Sequence, residues 1–245
     1  MDRAEFRAQF NASGPVVLPV IHVLDTSRTL ENIEVLSGEG APGCFLINHD
    51  FGVEAFLPIL KEVRAARPDL WMGVNFLAVT GLKAFPQLVD LEREGCRVDA
   101  YWADDARIDE RRSDQVEAQA IAAARDGWDG LYFGGTAFKK QRPVARENYG
   151  QAAAVACDWM DVVCTSGPAT GQEADANKIS TFRQALGDAT LALASGITPE
   201  NAERYRHVDC FMVATGINHE DNFYDIDPKR LRRLLDVAAR LGDGE

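Results

Sequence analysis

The chain has 245 residues, 46% of them apolar and 26% charged, and its 26 Lys and Arg against 38 Asp and Glu leave a net charge of −12. That composition excludes a disordered chain, and the length suits one domain with a large buried core, as in barrels of alternating strands and helices. With no Lys/Arg run longer than two residues, the acidic balance argues against nucleic acid or an anionic membrane as main partner and leaves small molecules or other proteins.

No stretch approaches the roughly 18 uninterrupted apolar residues that a membrane-spanning helix needs. Met1–Phe10 is mixed in charge and lacks the apolar region of a signal peptide, so a cytoplasmic protein without membrane insertion is expected. The five cysteines (Cys44, Cys96, Cys157, Cys164, Cys210) are odd in number and scattered, which points to reduced thiols. There is no C-x-x-C pair, and the four histidines (His22, His49, His207, His219) show no helical ligand spacing, so neither a metal centre nor another cofactor is expected.

In chain order, Met1–Gly14 is read as an N-terminal extension, a short helix covering one end of the domain. Apolar, β-branched or aromatic runs then recur at Val16–Leu24, Cys44–Asn48, Trp71–Leu77, Val98–Trp102, Gly130–Phe133, Asp161–Thr165, Thr190–Ala194 and Cys210–Ala214, their starts 20 to 32 residues apart. A strand plus crossover helix needs about 30 residues, so the spacing matches repeated βαβ units. Helical stretches follow at Gly52–Arg67, Phe85–Glu94 and Ser113–Arg125. Thr198 before Pro199 reads as an N-cap with proline at the first helical position, and Asp227-Pro228 opens a last helix with Leu231, Leu234, Leu235 and Ala238 on one face. Eight such pairs in one chain predict a closed (β/α)₈ TIM barrel, a single domain over residues 1–245.

In that fold, chemistry sits at the C-terminal ends of the strands and in the loops after them. The first two strand ends supply His22, Asp25, Asn48, His49 and Asp50; the next two supply Asn75, Asp104 and Asp105; the fifth supplies Thr136, Lys139 and Lys140. Thr165-Ser166-Gly167-Pro168-Ala169-Thr170-Gly171, Ser195-Gly196 and Thr215-Gly216 follow the last three. So many polar groups at one mouth are economical only with a polar ligand, because each costs free energy when buried without a partner.

His22, Asp50, Asp104 and Lys139 are the candidate catalytic residues, with the carboxylates as base, nucleophile or oxocarbenium stabiliser and His22 or Lys139 as acid. Each also has a plain structural role open to it: His22 as a hydrogen-bonded core histidine, Asp50 as a cap, Lys139 or Lys140 as a solvated cation. Asp104 and its neighbour Asp105 point opposite ways, and Asp104 is favoured for the centre. Asn48, Asn75, Thr165, Ser166, Gly167, Thr170, Gly171, Ser195, Gly196, Thr215 and Gly216 are the candidate ligand-binding residues, their glycines admitting an anion close to backbone N–H groups, as phosphate-binding barrels do. Glu220 and Asp221 would repel that anion unless turned outward. A divalent ion on Asp25, Asp50 or Asp104 is a minority option.

Several of these segments are similar to the BtpA/SgcQ family. The run Cys164–Asp175, then Ser195-Gly196-Ile197-Thr198-Pro199-Glu200-Asn201, then Thr215-Gly216, resembles its V-T-G-x-x-T-G-x-x-x-D, S-G-V-T-x-E-N and G-T segments. Pro19-Val20-Ile21-His22, Asn48-His49-Asp50-Phe51-Gly52 and Gly73-Val74-Asn75-Phe76-Leu77 resemble its upstream segments, although the second-strand acid is displaced. The resemblance implies a TIM barrel and two alternative roles. One is an enzyme acting on a small phosphorylated or ribosyl, sugar-like metabolite, possible reactions including a nucleosidase-like one. The other is a non-catalytic metabolite-binding or assembly factor, since one branch of the family is associated with photosystem I assembly. Either is expected to form a homo-oligomer.

Overall fold

The structure is a computed structural model that describes residues 1–242. Its eight strands are β1 (Val16–His22), β2 (Cys44–Ile47), β3 (Met72–Asn75), β4 (Ala100–Ala103), β5 (Leu131–Gly135), β6 (Val162–Ser166), β7 (Leu191–Ala194) and β8 (Cys210–Val213). Each runs parallel to both neighbours, and the pairing of Val16 to Pro19 with Cys210 to Val213 joins β1 to β8 and closes the ring. The expected TIM barrel is the observed one.

Outside the ring lie α2 (Thr26–Glu39), α3 (Val53–Ala66), α4 (Gly81–Arg93), α5 (Val116–Ala124), α6 (Tyr149–Ala156), α7 (Ala176–Leu186) and α8 (Pro228–Gly242). Asp25 and Asp175 cap α2 and α7, each carboxylate accepting from an N–H of the first turn. The β7–β8 connection departs from expectation: instead of an α-helix begun at Thr198-Pro199, it holds a 3₁₀ turn at Ala202–Tyr205. Only 20 residues separate the starts of these two sequence runs. Asn201, moreover, spends its side chain on the turn itself, accepting from the Thr198 N–H at 2.9 Å and donating to the Gly196 carbonyl at 2.7 Å.

Strand alternation divides the core in two. Val16, Leu18, Val20, Phe45, Ile47, Ala100, Trp102, Phe133, Val162, Cys164, Ala194 and Met212 fill the barrel interior. The alternate residues, such as Val17, Ile21, Leu46, Tyr101, Tyr132 and Phe211, pack against the helices. The N-terminal helix α1 (Arg3–Gln9) inserts Phe6 into the interior cluster, its ring 6.0 Å from that of Phe133. Arg3 and Arg7 of α1, together with Arg183 of α7, bond the fully buried carboxylate of Asp209, which also accepts from the Leu191 N–H at 3.0 Å. Charge is thereby concentrated at the N-terminal end of the barrel for structural purposes, and the C-terminal end is left for the site.

Candidate active site

Parity decides which strand-end residues reach the barrel mouth. Continuing the inward-facing series Val20, Ile47 and Trp102 by two residues brings in His22, His49 and Asp104, and all three line a depression at the C-terminal end. Lys139, Lys140, Thr170, Gly171, Ser195, Gly196, Thr215 and Gly216 complete its polar wall.

Asp104 is buried. One carboxylate oxygen, Oδ1, accepts from Asn75 Nδ2 at 3.2 Å, whereas Oδ2 has no hydrogen-bond partner and lies 3.6 Å from Lys140 Nζ. Trp102, also buried and lining the mouth, has an indole N–H without an acceptor. The Lys140 ammonium offsets part of the cost of burying the carboxylate, but Asp104 Oδ2 and the Trp102 indole N–H each still lack a hydrogen bond that a ligand or water would supply.

His22 is held by the segment after β8. Its Nδ1 lies 2.9 Å from the Phe223 carbonyl oxygen, and the two rings stack with centroids 3.8 Å apart. A carbonyl can only accept, so Nδ1 carries the proton and Nε2 is an acceptor. Burial pushes the imidazole down to about 4, with His49 and Lys139 adding to the effect and the Phe223 carbonyl opposing it. Burial likewise lowers His49, whose ring meets that of His22 edge-on at 4.8 Å. Near neutral pH His22 is therefore a neutral acceptor or base, not the acid partner that the sequence left open.

Lys139 Nζ donates to Ser195 Oγ at 2.8 Å and Thr170 Oγ1 at 3.2 Å, drawing the loops after β5, β6 and β7 together. Its ammonium is held below the ordinary lysine value by burial, with Lys140 adding and Asp104 opposing. The backbone of the same loop is fixed from beneath. Ser166 Oγ accepts from the Lys139 N–H at 2.9 Å, and Lys178 of α7, a residue without a part in the sequence-based site, donates to the carbonyls of Ala137 and Ser166 at 2.6 and 2.9 Å. Burial brings Lys178 to about 8.

The turn after β7 is the most constrained part of the mouth. Ser195 and Gly196 are successive left-handed residues, with φ of 73° and 70°. A Cβ on Gly196 would stand 2.2 Å from the Gln172 carbonyl oxygen, and one on Gly216 would stand 1.8 Å from that of Ile197. Among the described residues, the N–H groups of Gly171, Gly196 and Gly216 have no hydrogen-bond acceptor. Glycine at Gly196 and Gly216 thus admits the close approach of neighbouring backbone, and the unpaired amides belong to residues that line the mouth with the hydroxyls of Thr170, Ser195 and Thr215, the chemistry of an anion cradle. Glu220 and Asp221 are exposed and stand outside the lining.

The remaining sequence candidates are elsewhere. Asn48 faces outward by parity, bonding the Phe51 carbonyl and the Leu77 N–H, and Thr165 likewise turns to the Ala137 carbonyl. Gly167 and Ser166 shape the neighbouring groove between the β5 and β6 loops, and Asn75 acts behind Asp104 rather than in the lining. Asp50, one residue past the inward position, is exposed and bonded by the Tyr224 hydroxyl at 3.2 Å. The carboxylates weighed for a divalent ion do not converge: Asp25 caps a helix, Asp50 meets Tyr224 and Asp104 meets Asn75. Among the described residues no three His, Cys, Asp or Glu form a metal-binding group, and no helix is long and apolar enough to cross a membrane. Trp102, absent from the sequence-based site, and His49, collected there at the second strand end without a role, lie on the inward parity of their strands, which is the signal that finds them.

No protein-family model matches the sequence, and no curated protein matches it. Solved structures do match over nearly the whole chain. A phosphoribosyl anthranilate isomerase from Thermus thermophilus is similar with a TM-score of 0.62 at 15% identity, covering 92% of this chain and 98% of its own. An N-(5'-phosphoribosyl)anthranilate isomerase from Pyrococcus furiosus is similar with a TM-score of 0.63 at 12% identity, covering 94% and 100%. A structure described as native KDPGal is similar with a TM-score of 0.61 at 11% identity, covering 94% and 96%. At such identities the likeness establishes the barrel and nothing finer.

Proposed function

We propose that the chain is an enzyme whose barrel mouth binds a small phosphorylated or ribosyl, sugar-like metabolite. The observation that carries this is the unpaired amides of Gly171, Gly196 and Gly216 beside three hydroxyls, in a lining that also holds Asp104 Oδ2, ion-paired with Lys140 but without a hydrogen bond, and Trp102 Nε1 without an acceptor. The glycine turns offer donors to a phosphate, and the Asp104 side offers both an acceptor and a donor to hydroxyls. Two similar barrels bear the name of an isomerase of a phosphoribosyl compound, which supports the same class of ligand.

The equipment for acid–base work is a buried carboxylate, an amine of lowered pKa and a neutral imidazole. Nucleosidase-like cleavage, the reaction raised by the resemblance to the BtpA/SgcQ segments, would place Asp104 as base or oxocarbenium stabiliser and Lys139 as acid, with His22 Nε2 accepting from a ligand hydroxyl. The same resemblance raises a non-catalytic assembly or regulatory role. The enzyme is favoured over it by the gathering at one mouth of a buried carboxylate, an amine held below the ordinary lysine value and a neutral imidazole, a set that binding alone does not require.

Thermal denaturation with ribose 5-phosphate, ribose, inorganic phosphate and a nucleoside tests the reading. A ligand at 100 times its Kd stabilises the native state by about 2.7 kcal/mol, which is a rise in Tm of about 5–10 °C for a domain of this size. Ribose 5-phosphate is expected to give that rise and ribose to give little. No response to any phosphorylated compound would overturn it.

A further inference from the structure

We infer that the Lys139 amine forms a Schiff base with the carbonyl carbon of an open-chain aldehyde or ketone sugar phosphate bound at the mouth. The inference rests on the reading of the mouth as a sugar-phosphate site and adds a covalent step to it.

The partners of Lys139 are what single it out. Its Nζ meets two hydroxyls, Ser195 Oγ and Thr170 Oγ1, and among the described residues no carboxylate lies within ion-pair distance of it. The carboxylate at hand, Asp104, is paired with Lys140 instead. A hydroxyl accepts from an ammonium and donates equally well to the lone pair of a neutral amine, so these partners hold Lys139 in place in either protonation state, which a carboxylate would not. The side chain is half-buried, its Nζ 5.8 Å from the centroid of the Phe138 ring, and Lys140 adjoins it as a second cation. Desolvation and a neighbouring cation are the two means by which a lysine becomes nucleophilic near neutral pH. Desolvation is the larger here. The titratable groups facing it from other strands are Asp104 on the β4 side, His22 on β1 and His49 after β2.

The step balances without a further reactant. The Asp104 carboxylate takes one proton from the Lys139 ammonium. The freed nitrogen lone pair attacks the carbonyl carbon, forming a C–N bond while the C=O π pair moves to oxygen, which takes a second proton from nitrogen. The C–O bond of this carbinolamine then breaks, and the hydroxide leaves as water with the proton held by Asp104. The sum is ammonium plus carbonyl giving iminium plus one water. Asp104 Oδ2 is suited to the shuttle because its hydrogen-bonding capacity is otherwise unused.

The full chain is incubated near neutral pH with glyceraldehyde 3-phosphate or with glyceraldehyde, each with sodium cyanoborohydride, and adducts are mapped by peptide mass spectrometry. A secondary amine at Lys139 is expected, formed with glyceraldehyde 3-phosphate at least tenfold faster than at the exposed Lys61, Lys83 and Lys229, and slowed at least tenfold by Asp104→Asn. Equal labelling of all lysines, or none at Lys139, overturns the inference. Thermal protection by glyceraldehyde 3-phosphate without an adduct would leave the sugar-phosphate site standing and sink the Schiff base. A Lys139 adduct formed equally well with unphosphorylated glyceraldehyde would support the Schiff base and count against the phosphate cradle.

Discussion

His22 Nδ1 donates to the Phe223 carbonyl, and the Phe223 ring lies flat on the imidazole, with 4° between the ring planes. One residue from the segment after β8 therefore sets both the tautomer and the dryness of a histidine at the end of β1. Because burial lowers His22 from 6.5 to about 4, the folded state binds fewer protons than the unfolded chain between those values. Stability rises with pH across that window: the His22 contribution is neutral above about 6.5 and amounts to a loss of about 3 kcal/mol by pH 4. Histidine NMR titration is expected to show His22 unprotonated and Nδ1–H at pH 6. A midpoint near 6.5 would contradict this.

Gly196→Ala forces a Cβ onto a left-handed residue and to within 2.2 Å of the Gln172 carbonyl oxygen. The conformational part costs about 1 kcal/mol and the clash adds to it, so a fall in Tm of about 2–4 °C or more is expected, together with weaker binding of phosphate esters. Unchanged Tm and unchanged affinity would show that the turn does not hold the form described.

Asp209→Asn removes the charge that Arg3, Arg7 and Arg183 share in the interior. Breaking a buried ion cluster by removing one partner costs about 3–5 kcal/mol. Chemical denaturation should show a loss of that order, while the affinity of the surviving folded molecules for ribose 5-phosphate stays within twofold, since the cluster lies at the opposite end of the barrel. A loss below about 1 kcal/mol would refute the structural role given to Asp209.

Asp104→Asn and Asp50→Asn separate the two carboxylates of the sequence-based site. Asp104 is buried at the mouth and Asp50 is exposed against Tyr224. Asp104→Asn is expected to lower turnover of a responsive sugar phosphate by about 10²-fold or more, well beyond its effect on binding, and Asp50→Asn to leave both within a few-fold. The reverse pattern would move the catalytic group to the β2 loop.

The barrel was legible because each strand is buried on both faces and so reads as a short apolar run, such as Val162-Val163-Cys164, separated by helix-length segments. The connection after β7 was not, because Thr198 and Pro199 carry the local signature of a helix start while the short distance to β8 admits only a 3₁₀ turn. Strand parity was enough to place Asp104 rather than Asp105, and His22, at the mouth. Parity turns Asn48, the polar residue nearest the strand, outward and the next one, His49, inward, an alternation that a list of strand-end residues does not carry. What no local pattern carries is the long-range contact. Phe223 on His22 spans 201 positions, and Lys139 on Ser195 spans 56. Those two contacts set the proton position on His22 and the surroundings of the Lys139 amine, on which the proposed chemistry rests.

A crystal structure of the chain with ribose 5-phosphate bound tests the central claim most directly. The phosphate is expected within hydrogen-bond distance of the Gly196 and Gly216 amides, with sugar hydroxyls toward Asp104 and His22 Nε2. Phosphate seated instead in the groove lined by Arg142, Arg146 and Lys178, or no bound ligand at millimolar concentration, would contradict it.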